Sequence, residues 1–159
     1  MESYDMGLGL QGITGPFIGA SECYIASVEQ RFGFILPPQY REFLRKIGAS
    51  VFSEDVGFRP IEPSPWAVNG IESFDGFYGM SELVHTDLLR INDELRSILP
   101  IAAIAIGNDP GANLILLNPG GEVYFYDRET GRQYLSARDF GRFLHSFEKR
   151  SMPFRPSQL

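Results

Sequence analysis

The stretch Pro100–Asp127 reads PIAAIAIGNDPGANLILLNPGGEVYFYD, and its punctuation decides the fold. Three apolar runs, Ile101–Ile106, Leu114–Leu117 and Val123–Tyr126, are divided by Gly-Asn-Asp-Pro-Gly and by Asn-Pro-Gly-Gly. Short apolar runs bounded by such residues read as strands joined by tight turns. The connections are too short for crossovers, so the three strands form an antiparallel meander. Ile101–Ile106 has no polar residue on either alternation and is expected to be covered on both faces. Asn108 and Asp109 read as turn formers that bond the local backbone.

Working outward, helices with apolar stripes flank this sheet. Ser21 caps a first helix running to about Phe32, with Tyr24, Ile25, Val28 and Phe32 on one face and Gly33 as its stop. Pro37-Pro38 opens a second, whose stripe is Tyr40, Phe43, Leu44 and Ile47 and which Gly48 ends. Arg41, Arg45 and Lys46 fall on its solvated face. A third helix is expected from Thr86 to Leu99, with Leu88, Ile91, Leu95 and Ile98 buried. After a short strand near Gln133–Leu135, Ser136 to Asp139 resembles a capping box for a last helix carrying Phe140, Phe143, Leu144 and Phe147. The fold class is therefore α+β, an antiparallel meander with helices packed against it.

The chain of 159 residues is expected to hold one domain, able to bury roughly 70% of its unfolded surface without disulfide or metal. Residues 1–20 form a Gly-rich segment, 21–150 the domain, and 151–159 a mobile tail. Gly7, Gly9 and Gly12 match G-x-G-x-x-G literally, but no strand precedes them and Gly15-Pro16 follows, so a leader or edge segment is the better reading. The lone Cys23 excludes an internal disulfide, and the start MESYDMG lacks a signal-peptide pattern; a cytoplasmic protein is expected. No apolar stretch approaches the ~20 residues of a membrane span.

Charge is unevenly placed. The total is −6, and residues 51–100 alone carry nine acids against three arginines. Nucleic-acid binding is disfavoured, because phosphates demand a basic surface. Excess acid either keeps the protein soluble or complements a basic protein partner. Residues 49–80 are the least regular part. Val56–Ile61 reads as a short edge strand, and Phe52, Phe58, Trp66, Phe74, Phe77 and Tyr78 alternate with acids. Most of these aromatics read as core. The segment is nevertheless the candidate partner surface: Glu54, Asp55, Glu62, Trp66, Glu72, Asp75, Phe77 and Tyr78, with Trp66 as anchor.

Signatures of catalysis are weak. His145 and Glu148 stand three apart, which is a surface pair and not a metal site. Ser146-Phe-Glu-Lys149 matches S-x-x-K without its companion motifs. Cys23 has no activating neighbour in sequence. Neither a cofactor nor a metal is expected.

Several blocks together carry a resemblance. They are Gly33-Phe34-x-Leu36-Pro37-Pro38-x-Tyr40-Arg-Glu-Phe43-Leu44, then Leu99-Pro100-Ile101, Gly111-x-Asn113-Leu114, and Gly121-Glu-Val123-Tyr124-Phe125-Tyr126-Asp127. Over about residues 21–148 the chain resembles the SUKH superfamily, a group of bacterial immunity proteins that includes a eukaryotic cell-wall synthesis regulator. The Gly-rich leader falls outside it. The resemblance implies a non-enzymatic protein that binds and neutralises a cognate toxin domain, often a nuclease or nucleic-acid deaminase. Pro37, Tyr40 and Phe43 carry over as fold markers, and no partner contact carries over residue by residue. A regulatory or scaffold protein of the same fold, or a small-molecule-binding domain, are the alternatives; a monomer is the favoured state.

Overall fold

The computed structural model describes residues 7–100 and 102–150. In chain order the elements are β1 (Leu10–Gly12), α1 (Glu22–Phe32), α2 (Pro38–Lys46), β2 (Ser50–Phe52), β3 (Val56–Phe58), β4 (Glu72–Ser73) and β5 (Gly76–Phe77). They continue with α3 (Leu88–Leu95), β6 (Ile104–Asn108), β7 (Leu114–Leu117), β8 (Val123–Tyr126), β9 (Gln133–Ala137), α4 (Phe140–His145) and β10 (Phe147–Lys149). Seven strands form an antiparallel sheet in the order β1-β2-β5-β6-β7-β8-β9, and a second sheet has the order β10-β3-β4. The architecture is α+β, and the β6-β7-β8 meander lies inside the larger sheet.

The first two helices follow from their sequence signals. Ser21 accepts the Tyr24 N–H, and Gly33 ends α1 in the left-handed region at φ 80°, which a side chain would strain. Pro38 opens α2, and Tyr40, Phe43, Leu44 and Ile47 are all buried. On the opposite face Arg41 pairs with Glu29, Arg45 with Glu22 and Glu42, and Lys46 with Glu42. The basic face is thus ion-paired as well as solvated.

Phenylalanines tie the two sheets together. Phe43 on α2 stacks at 4.8 Å from Phe77 and 5.1 Å from Phe140. Phe74 lies 4.6 Å from Phe77 and 4.8 Å from Phe147, and Phe58 lies 5.0 Å from Phe143. Tilted and edge-on contacts at these distances suit the ring quadrupoles. The irregular 49–80 region therefore supplies much of the core.

Five expectations change. Val56–Phe58 is the central strand of the second sheet, not an edge, because β10 and β4 pair on its two sides. The third helix is shorter: a 3-10 turn at Val84–Thr86 precedes it, Asp87 caps it, and it stops at Leu95. Beyond it the chain tightens into turns, and Ile98 is exposed. The position buried instead is Asn92, whose side chain accepts the Ala105 N–H at 2.7 Å and donates to the Ala105 carbonyl at 2.9 Å. Periodicity misses it because amide chemistry, not hydrophobicity, docks α3 on β6. Strand β6 begins at Ile104, with Ala102 turned to φ 70°; Ile101 lies outside the described residues. Finally, Ser136 sits in β9 and Asp139 alone caps α4, accepting the Arg142 N–H at 2.7 Å. Helix α4 ends at His145, so Phe147 reaches the core from a strand.

The leader joins the fold. Leu10–Gly12 pairs with β2 at the sheet edge, and Leu8 and Leu10 are buried. The tail from Ser151 lies outside the described residues.

Candidate partner surface

The eight residues expected at the partner surface separate into interior and exterior sets. Glu72, Phe77 and Tyr78 are buried. They correct the expectation: Phe77 packs on Phe43 and Phe74, and Glu72 bonds the backbone beneath a turn. Tyr78 joins β6 through its N–H to the Ile106 carbonyl, and burial pushes its hydroxyl well above the ordinary tyrosine range. Glu54 and Asp55 are exposed, but Lys149 stands 3.8 Å from Glu54 and Arg150 stands 3.1 Å from Asp55. Much of their charge is answered within the chain. Asp75 is exposed beside Asn108.

Glu62 and Trp66 remain, and they belong to one segment. After β3, Ile61 and Glu62 donate their N–H groups to Ser136 and Leu135 of β9, at 3.0 and 2.8 Å. The Glu62 carboxylate returns the favour by accepting the Leu135 N–H at 3.1 Å. The chain thus covers the outer edge of the large sheet, which would otherwise invite pairing. With its backbone engaged there, the segment turns apolar side chains outward: Ile61, Trp66 and Val68 are 52%, 46% and 63% exposed. Asn69 and Gly70, both at positive φ (55° and 77°), close a hairpin in which Val68 and Ile71 exchange N–H bonds. Asn-Gly is the strongest short-range hairpin signal, a cue to this segment that the sequence expectations did not use.

A second apolar feature lies elsewhere. A groove of about 590 Å³ is walled by Ile13, Pro16 and Ile18 of the leader and by Met80, Leu83 and Arg90. At its base Asp87 accepts the Tyr24 hydroxyl at 2.8 Å, the Ser81 N–H at 3.0 Å and the Arg90 N–H at 3.1 Å. Burial is the main cause raising the Tyr24 hydroxyl far above its ordinary pKa, and hydrogen bonding to Asp87 adds to it. This hub fastens α1 to α3. The signal missed was Asp87 itself, a better cap than the expected Thr86.

Catalytic constellations do not assemble from the motifs singled out. The Ser146 hydroxyl donates to the Phe143 carbonyl at 2.6 Å, while Lys149 faces Glu54. His145 bonds the Gly141 carbonyl and Glu148 pairs with Arg59, so His145 and Glu148 are not partners. Asp109 serves the β6–β7 turn, accepting the Asn113 N–H at 2.8 Å. Cys23 is exposed and free. Among the described residues no group of three or more His, Cys, Asp or Glu side chains is placed to hold a metal ion. No described helix is long and apolar enough to cross a membrane.

Comparison with known proteins agrees with this architecture. The SPbeta prophage-derived uncharacterized protein YokK of Bacillus subtilis (strain 168) is 28% identical over 146 residues, which cover 84% of this chain and 73% of its own. Residues 19–146 match the SMI1 / KNR4 family (SUKH-1), a span that includes all four helices and strands β2 to β9. The chain belongs to the SMI1 / KNR4 family (SUKH-1).

Proposed function

We propose that the chain is a cytoplasmic immunity protein that binds a cognate toxin domain stoichiometrically and neutralises it. The toxin is a basic nuclease or nucleic-acid-modifying domain. The observation that carries this reading is the outward row of Ile61, Trp66 and Val68 on a segment whose backbone is fixed to β9. Rigid exposed aromatics flanked by aliphatic residues form the energetic centres of protein interfaces. Family membership supports the reading, and so does a relative whose name places it in a prophage. The acidic balance of the chain favours a basic partner and speeds encounter. Glu62 supplies charge on the Trp66 segment itself, and the exposed Asp75, Glu54 and Asp55 add to the acidic balance, the last two only as far as their internal ion pairs release them.

Co-expression tests it. Toxin from the native host is expressed with the wild-type chain, with Trp66→Ala and with Ile61→Asp. Survival with the wild type and death with both variants, at equal folded levels, is the expected outcome. Equal protection by all three would remove this surface from the account.

The groove favours a second reading, a small-molecule-binding domain. Its volume of about 590 Å³ lies inside the roughly 300–1,000 Å³ typical of ligand sites. Native mass spectrometry of the purified chain discriminates: a bound small molecule lost in Leu83→Asp favours this reading.

A further inference from the structure

The Trp66 segment is held from beneath by a carboxylate. The Asn69-Gly70 hairpin reverses the chain and brings Glu72 back under Ser64. Glu72 is fully buried. It accepts the Ser64 N–H at 2.7 Å and the Ser64 hydroxyl at 2.9 Å. The same hydroxyl accepts the Trp66 N–H at 3.1 Å. Glu72 thereby holds two polar groups of Ser64 directly and, through the Ser64 hydroxyl, the Trp66 backbone N–H.

The Glu72 carboxylate takes its two hydrogen bonds from Ser64, and the charged neighbour that acts on it is Asp109, not a cation. Burial raises its carboxyl above the ordinary glutamate range, Asp109 pushes the same way, and the two bonds from Ser64 oppose them. A buried carboxylate without a counter-cation costs stability, and a packed apolar side chain would serve the core better. What the carboxylate supplies is a pair of acceptors at the base of the turn.

We infer that Glu72 is a positioning residue: through Ser64 it fixes the turn that offers Trp66 to a protein partner bearing an apolar pocket. A segment fixed before binding loses less conformational freedom on binding. The positioning stands on the geometry, and its purpose rests on the function proposed above.

Trp66 is the only tryptophan of the chain, so acrylamide quenching of its emission in the intact protein reads this turn alone. Ser64→Ala and Glu72→Ala are expected to raise the quenching constant roughly two-fold by releasing the turn locally, with far-UV circular dichroism unchanged. Glu72→Gln keeps an acceptor for the Ser64 N–H and is expected to quench like the wild type. If Glu72→Ala fails to fold, Ser64→Ala and Glu72→Gln carry the test. Quenching equal to wild type in Ser64→Ala overturns the inference, as does a Glu72→Gln variant as loose as Ser64→Ala. The readout needs no partner. A chain whose turn loosens as expected but which protects against no toxin keeps the positioning and loses the immunity reading. Protection with unchanged quenching does the reverse.

Discussion

The meander and the Trp66 segment are each fastened in part by a buried polar side chain, and they use it for opposite ends. Asn92 clasps Ala105 of β6 from α3, and the residues around that bond, from Ile104 to Ile106, are buried. Glu72 clasps Ser64, and the residues its turn carries, Ile61, Trp66 and Val68, face outward. The amide is neutral and can satisfy both a donor and an acceptor, which suits a strand inside a sheet. The carboxylate accepts only and stays costly to bury. The same device builds the core in one place and a surface in the other, and the costlier group stands under the surface.

The core side carries the largest expected effects. Phe77→Ala is expected to cost about 4 kcal/mol by chemical denaturation, as truncation of a buried phenylalanine does. If it instead left stability untouched and weakened partner binding, Phe77 would be a contact and the interior assignment would fail. Next comes Asn92→Ala, which strands the Ala105 N–H and carbonyl; a loss of about 3 kcal/mol is expected from two unpaired buried groups. A change under about 0.5 kcal/mol, the size of an ordinary surface substitution, would show that α3 docks by its apolar stripe alone.

Glu72 gives a pH signature that Asn92 cannot. Its raised folded-state pKa means that the folded protein binds the proton more tightly than the unfolded chain. Its contribution to stability is fully present below the unfolded pKa and is lost as pH rises through the folded one. Glu72→Gln removes this dependence. The stability difference between Glu72→Gln and the wild type, measured by urea denaturation, should therefore shift toward the wild type as pH falls from 7 toward the ordinary glutamate value. A difference independent of pH would contradict the burial of the charged form. The smallest effect belongs to the exposed ion pairs. Glu54→Gln with Asp55→Asn should change stability by less than about 1 kcal/mol.

The sequence made the meander legible because its apolar runs and turn residues repeat a simple pattern, and α1 and α2 because cap, stripe and stop coincide. Segment 49–80 resisted because its strands are two or three residues long, too short for a period to show. Phe77 and Trp66 share a composition signal, and only the strand pairing decides which turns inward. Glu54 and Asp55 read as free acids because the residues that answer them, Lys149 at the end of β10 and Arg150 just beyond it, lie ninety-five residues away. The cue that did exist was Asn69-Gly70, which predicts the hairpin that places Glu72 under Ser64.

The most direct test of the account is a pull-down from the native host with the tagged chain and its Trp66→Ala variant side by side, washed at moderate salt and read by mass spectrometry. The account predicts one stoichiometric protein on the wild type that kills cells when expressed alone and that is lost, or at least ten-fold depleted, on the variant, since an interface anchor is worth about 2 kcal/mol or more. A toxic partner retained equally by both, or no stoichiometric partner at all, would contradict it.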